Sequence, residues 1–254
     1  MMHLRAEGAI LTITLDWPEK LNALDPDAHA GLDRAFDRLR DDDDLRCAIL
    51  TGTGRAFCVG SDLKARAEVN ADHHPATGFA GLSHRFDLSK PVIAAVNGMA
   101  IGGGVEIVLA CDLAIAAEGA WFQLPEPRIG LAAIGGGGIQ RLARQLPMKH
   151  ATDMLLTGRR VSAPEALVMG LVSRVVPAAG LMDEARAAAE DICKGAPLAI
   201  AATQAVARAA DNMPDLQAAL TSSYAEIDRM LASEDAIEGQ KAFVEKRAPV
   251  WKGR

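Results

Sequence analysis

The sequence predicts an α/β protein, with strand–helix units that build a parallel sheet and a helical C-terminal region after them. Three observations carry this. Apolar runs of strand length alternate with segments of helical period up to about residue 176, and repeated units of that kind close into parallel sheets with right-handed crossovers. Beyond that point the segments 181–194, 197–211, 215–232 and 234–246 are all helical in character. The chain therefore divides into a 1–176 α/β core and a 177–254 helical region. Finally, 254 residues, half of them apolar, suffice to bury a substantial core.

The elements follow in order. Residues 9–15 alternate like a strand. Asp25 offers an N-cap and Pro26 takes the first helical position. Leu32, Phe36 and Leu39 then fall on one helix face. The run Asp41 to Asp44 reads as a solvated loop after that helix. Residues 45–51 are a buried strand, and 91–97 and 112–117 are two more. The stretch 65–90 lacks periodicity and reads as a mobile loop region, with His73 and His74 solvated in it. Gly102-Gly103-Gly104 opens a helical run from Val105 to Leu109. Trp121-Phe122-Gln123 is a short strand, and Gly135 to Gly138 opens a helix from Ile139 to Leu146. Ser162 and Glu165 have capping-box spacing. Ser233 caps the last helix, where Glu234 and Asp235 suit the positive end of the dipole.

Several function classes are disfavoured. The net charge is −6 and there is no basic run, which argues against nucleic acid. No apolar run reaches the span of a membrane. Met1 to Glu7 leads into the first strand without a leader pattern, so a cytoplasmic setting is expected. Cys47, Cys58, Cys111 and Cys193 lack CxxC spacing and read as free thiols in a reducing compartment. The histidines have no metal-ligand spacing, so no metal site is expected. No dinucleotide fingerprint follows the first strand, and the glycine run lacks the Lys-Ser/Thr of a P-loop. Neither Ser61 nor Ser83 has a G-x-S-x-G context.

Two Gly-rich segments and two carboxylates remain. Glycines at a strand-to-helix junction admit close backbone approach, and a helix start offers unpaired N–H donors. Gly102 to Gly104 could hold a phosphate or a developing oxyanion, or be a tight turn that packs closely. Spacing leaves both open. Phe57 to Lys64 is a second candidate donor loop. Glu106 sits in the first turn of an otherwise apolar helix, where a carboxylate is costly to bury unpaired. Glu126 lies in the Pro-flanked turn Leu124-Pro125-Glu126-Pro127. Two carboxylates facing one pocket could work as an acid/base pair; sequence alone does not show that they meet.

In combination, Asn22-Ala23-Leu24, Arg55 to Lys64, Lys90 to Gly98, Gly102 to Glu106, Leu124-Pro125-Glu126, Leu156 to Arg159, Gly170-Leu171-Val172 and Phe243 to Arg247 resemble the crotonase (enoyl-CoA hydratase/isomerase) superfamily. The likeness runs along nearly the whole chain. The Leu-Pro-Glu turn and the ending from Ser233 to Arg254 look most like its carnitinyl-CoA dehydratase branch. The resemblance implies a spiral of strand–strand–helix turns, with a helical C-terminal part that packs on neighbouring subunits as a trimer or a dimer of trimers.

It also implies an acyl-CoA thioester substrate and no cofactor, coenzyme A being part of the substrate. By motif position the oxyanion hole is the backbone N–H groups of Val59 and Gly103. Glu106 and Glu126 are implied as the catalytic pair that hydrates a 2-enoyl-CoA to a 3-hydroxyacyl-CoA. Ala23 and the turn Ser61, Asp62, Leu63, Lys64 are implied along the CoA, with Lys64 near its nucleotide end. Phe243 and Lys246 are implied as cover for CoA.

One departure is visible. Residues Leu131 to Arg141 lack a Pro common in family hydratases and carry a longer glycine run, which bears on the wall of the acyl pocket. Three rivals accompany the enoyl-CoA hydratase reading. They are a carnitinyl-CoA dehydratase, a Δ3,Δ2-enoyl-CoA isomerase for which one glutamate would suffice, and a non-catalytic CoA-binding or nucleic-acid-binding protein. Both glutamates are present, which favours hydration.

Overall fold

A computed structural model describes residues 2–64 and 74–254. The chain forms two compact units, Met1–Ala189 and Glu190–Arg254.

The first unit holds two sheets. The larger has the order β1 (Met2–Glu7), β2 (Ile10–Leu15), β3 (Cys47–Gly52), β5 (Val92–Val96), β7 (Leu113–Ala117), β10 (Arg174–Val176). All neighbours are parallel except the β1–β2 hairpin. Every residue of β5, and all but the last of β3, is buried, as expected for central parallel strands covered on both faces. The smaller sheet has the order β4 (Ala56–Cys58), β6 (Met99–Ile101), β8 (Trp121–Gln123), β9 (Val161–Ser162), with β9 antiparallel to β8.

The pairs β3/β4, β5/β6 and β7/β8 each give one strand to each sheet before the chain moves on. This is the expected strand–strand–helix spiral. The purely parallel sheet is corrected by two antiparallel edge strands, β1 and β9. Of the three-residue strands of the small sheet, β8 stands where the sequence predicts it, while β4 and β6 are too short for a period-2 pattern to reveal.

Helix α1 (Pro26–Asp41) starts as expected. Pro26 is its first residue, and the Ala28 N–H donates to Asp25 Oδ1 at 2.8 Å. Its face of Leu32, Phe36 and Leu39 is fully buried. Helix α2 (Gly103–Ala110) follows β6, and α3 (Gly138–Gln145) follows the glycine run. Helix α4 (Met148–Thr157) was not expected. Helix α5 (Ala163–Met169) is capped by Ser162, whose hydroxyl accepts from Glu165 N at 3.4 Å.

The stretch 65–90 needs correction. Residues 65–73, His73 among them, lie outside the described residues. Phe79 to Ser83 are buried rather than loop-like, and His74 stacks edge-on with His29 and Phe79 rather than standing in solvent. Apolar side chains without period were mistaken for surface.

Helix α6 is Leu181–Cys193; the second unit continues with α7 (Pro197–Ala210), α8 (Leu216–Thr221), α9 (Ala225–Leu231) and α10 (Glu234–Glu245). The single helix expected over 215–232 is two, because Ser222 leaves helical geometry at ψ 151. The Ala236 N–H donates to Ser233 Oγ at 3.1 Å, as the cap predicts. The buried carboxylate of Asp235 accepts from the N–H groups of Lys252 and Gly253 at 2.7 and 2.8 Å and pins the tail onto α10. Among the described residues no helix is long and apolar enough to cross a membrane.

Candidate active site

Three neighbouring parallel strands of the small sheet deliver the candidate residues. Val59 and Gly60 leave β4, Gly102 leaves β6, and Leu124-Pro125-Glu126 leaves β8. Carboxyl ends of parallel strands are where ligand crevices form in α/β sheets. The Gly102 N–H donates to Gln123 O at 2.8 Å and ties the second loop to the third. The first two touch: a Cβ on Gly60, whose φ is +90, would stand 2.9 Å from Gly103 N.

The two donor loops carry an informative pattern of N–H groups. That of Gly60 is used internally, donating to Cys58 Sγ at 3.4 Å. Those of Val59 and Gly103 find no acceptor among the described residues. Gly103 is buried, and a buried N–H without a partner is rare. The two N–H groups singled out by motif position are thus among those left open in these loops, as the first N–H groups of a helix ordinarily are. Gly103 also stands at the positive end of α2.

Phe79 backs this corner, its ring filling the space beside Gly103. The segment that carries it is stapled to α1. Arg85, whose side chain is fully buried, donates to Gly81 O at 2.9 Å, to Asp33 Oδ1 at 2.8 Å and to Asp37 Oδ1 at 2.7 Å. Thr77 adds a 2.6 Å bond to Asp33. Ala80 takes the left-handed conformation at φ +57, and its N–H donates to His29 Nδ1 at 3.0 Å. Burial pushes His29 down to about 4, so its ring is a neutral acceptor there.

Glu106 is 3% exposed. The Gly138 N–H donates to its Oε1 at 2.8 Å. Burial pushes this carboxyl above its ordinary value, while the Gly138 and Gly136 N–H groups and the charge of Arg141 pull it back. The glycine run is the wall that holds it: a Cβ on Gly136 would lie 2.6 Å from Glu106 Cβ. That is the role of Gly135 to Gly138, more than opening a helix.

Glu126 is half-buried. Its Oε2 is buried with no hydrogen-bond partner among the described residues. Burial raises this carboxyl too; its own backbone N–H opposes the shift and the Glu106 charge adds to it. The structure therefore brings the two carboxylates into one electrostatic site. A Cβ on Gly102, one residue before α2, would lie 2.9 Å from Glu126 Oε1.

The Glu126 turn is held by residues that motif reading left without a role. Gln123 Nε2 donates to Gly158 O at 2.7 Å, and Arg128 Nη2 donates to Thr157 O at 2.9 Å. The Leu156-Thr157-Gly158-Arg159 motif is thus a brace for the turn. Its place among the motifs that carry the resemblance is the only signal in the sequence, and the bonds to it run through its backbone carbonyls.

Of the residues expected along the CoA, Ala23 precedes Leu24, which bridges to Ser61. The Asp62 N–H donates to Leu24 O at 2.9 Å. Lys20 Nζ reaches Asp62 at 3.2 Å. Leu63 and Lys64 are exposed at the edge of the described segment. Phe243 and Lys246 lie in the second unit, Phe243 exposed on α10 and Lys246 as its left-handed C-cap.

Two partnerless N–H groups beside one buried and one half-buried carboxyl can stabilise an oxyanion and move protons next to it. Comparison with known proteins agrees in kind. Residues 5–254 match the enoyl-CoA hydratase/isomerase family. A carnitinyl-CoA dehydratase of Salmonella typhi is 48% identical over 263 aligned positions, covering 100% of this chain and 98% of that one. Among solved structures, an enoyl-CoA hydratase from Mycobacterium marinum superposes with a TM-score of 0.93 at 37% identity, covering 100% of this chain and 99% of that one. One from Bacillus anthracis gives 0.91 at 34%, with 100% and 99% covered.

Proposed function

The chain belongs to the enoyl-CoA hydratase/isomerase family, a crotonase-superfamily enzyme of the hydratase/dehydratase type, and from that premise we propose that it adds water reversibly across the C2–C3 double bond of a 2-enoyl-CoA. The observation that carries this reading is the unequal hydrogen bonding of its two carboxyls. Burial raises both, but Glu106 accepts from the Gly138 N–H at 2.8 Å and is eased by Arg141, which favour its ionised form. Glu126 has a bare Oε2 and feels the charge of Glu106, which favours its protonated form. Environments that push two carboxyls apart assign acid and base.

In the forward direction Glu106 takes a proton from water as its oxygen attacks C3. The thioester oxygen becomes an enolate oxyanion between the Val59 and Gly103 N–H groups. Glu126 gives its proton to C2. The proton held by Glu106 then returns to Glu126, so the cycle closes with one water consumed. Positioned acid and base groups contribute roughly 10²–10⁴-fold. The residues present supply every step, and coenzyme A enters only as part of the substrate.

A second reading concerns the acyl group. The 48% identity to a carnitinyl-CoA dehydratase over the full chain makes carnitinyl-CoA a substrate to test beside crotonyl-CoA. An isomerase reading rests on family membership alone, and 3-enoyl-CoA tests it.

For CoA itself, the reading places Ala23 and Ser61 to Leu63 along the pantetheine and Lys64 near the nucleotide phosphates. Phe243 and Lys246 cover CoA from a neighbouring copy in a trimer or dimer of trimers. The 85% exposure of Phe243 and 80% exposure of Val244 support a covered surface there. The protein acts in the cytoplasm.

The test follows loss of the crotonyl-CoA and crotonobetainyl-CoA absorbance in the wild type, Glu106→Gln and Glu126→Gln. Hydration that disappears in both variants supports the roles. Full activity in either variant sinks its assignment.

A further inference from the structure

We propose that Arg141 is a positioning residue for Glu106, its guanidinium fixing the glycine loop whose N–H groups hold the carboxylate in its water-activating pose. Its kinetic consequence rests on the hydratase reading, and its geometry on the two hydrogen bonds of the Arg141 guanidinium.

Arg141 is the fourth residue of α3. A cation in the first turn of a helix meets the positive end of the dipole, so helix stability does not ask for it there. Its side chain turns back over the loop it follows. Nη1 donates to Gly136 O at 2.8 Å, and Nη2 donates to Ser83 O at 2.5 Å. The fit to the loop is tight: a Cβ on Gly137, whose φ is +78, would lie 2.6 Å from Nη1. The peptide units on either side of that held carbonyl face Glu106, through the N–H groups of Gly136 and Gly138.

The second arm reaches the other side of the site. Ser83 is 1% exposed, and its hydroxyl accepts from the Phe79 N–H at 2.8 Å. The Phe79 ring backs Gly103. One planar fork therefore fixes the loop behind the base to the segment behind an oxyanion donor. A lysine has the charge but not the two divergent donors. The charged groups that face Glu106 are Glu126 from the turn after β8 and Arg141 from α3, with the Gly136 and Gly138 N–H groups between them.

The experiment compares Arg141→Gln and Arg141→Lys with the wild type in two ways. One is the pH profile of kcat and of kcat/KM with crotonyl-CoA. The other is the titration of Glu106 followed by 13C NMR in the substrate-free protein, assigned with Glu106→Gln. In Arg141→Gln, kcat falls by about 10²-fold, the scale for a misplaced group, while KM stays near the wild-type value. Its Glu106 titration and acid limb move to higher pH. Arg141→Lys keeps the limb near the wild-type position yet loses kcat, and added guanidinium ion restores part of the activity of Arg141→Ala. A folded Arg141→Gln with wild-type kcat, or with an unmoved Glu106 titration, overturns the proposal. If Arg141→Gln does not fold, Arg141→Lys with full kcat overturns it equally. A wild type that hydrates no enoyl-CoA sinks the hydratase reading, and the NMR titration still decides the link between Arg141 and Glu106.

Discussion

The ring of Phe79 occupies the place of a Gly103 side chain: a Cβ built on Gly103 would stand 2.3 Å from Phe79 Cζ. An alanine at 103 must push the ring or its own backbone aside, and the backbone carries a proposed oxyanion donor. Gly103→Ala is expected to lower kcat by about 10²–10³-fold, the scale for losing one such donor. Val59→Ala leaves the backbone N–H in place and is expected to keep kcat within a few-fold of wild type. Steady-state kinetics on the pair decide it; equal losses would mean that side chains, not N–H groups, matter at both positions.

Glu106 and Glu126 are both held above the usual carboxylate range by burial. Folding therefore opposes their ionised forms. Their folded-state contribution is most favourable below the unfolded value near 4.5 and is lost as pH rises through the raised folded values. Replacing either with Gln removes a cost present at neutral pH. Melting at pH 7.5 is expected to show a higher Tm for Glu106→Gln and Glu126→Gln while activity collapses. The gain should vanish below about pH 4, where the carboxyls are protonated in both states. A lower Tm at neutral pH would contradict the burial account.

The same two groups set the pH–rate profile. Protonation of Glu106 removes the base on the acid side, and loss of the Glu126 proton removes the acid on the alkaline side. The kcat/KM profile is expected to be bell-shaped, with both limbs above the ordinary carboxylate value. The limbs belong to the coupled pair. A profile without an alkaline limb would remove Glu126 as the proton donor.

Arg85 is the staple for the Phe79 segment. Its buried guanidinium binds Asp33 and Asp37 of α1 and the Gly81 carbonyl. Arg85→Met removes the side-chain donor to Gly81 O and one cationic partner each from Asp33 and Asp37, which keep Thr77 and Arg40, and hydrogen bonds to charged groups contribute roughly 1.5–3 kcal/mol. Urea unfolding should register that loss. A change below about 1 kcal/mol, the scale of a surface pair, would show that the staple does not bear on stability.

Much of this was legible in the sequence, and the rest was hidden for identifiable reasons. The strands around Leu11, Leu50 and Ile93 carry enough consecutive apolar residues to stand out, and Asp25, Ser162 and Ser233 announce helix starts through capping chemistry. Glu106 drew notice as a carboxylate in an apolar helix, and Gly103 as a glycine at a strand–helix junction. Hidden were contacts between side chains and distant backbone. Arg128 and Gln123 act on the carbonyls of Thr157 and Gly158, which no spacing rule connects. The burial of Phe79 was missed because Gly78, Ala80 and Gly81, all at positive φ, break any period. The run Gly135 to Gly138 reads in the sequence only as the opening of a helix, because a wall without side chains leaves no pattern that points to Glu106.

The working groups come from separate turns of the spiral: Val59 after β4, Gly103 and Glu106 after β6, and Glu126 after β8, with the glycine wall farther on. These turns are tied to one another, the Gly102 N–H to Gln123 O and the Gly138 N–H to the Glu106 carboxylate. A change in one loop is therefore passed to its neighbours, and a side chain added at Gly136 or Gly138 would displace the Glu106 carboxylate along with the wall behind it.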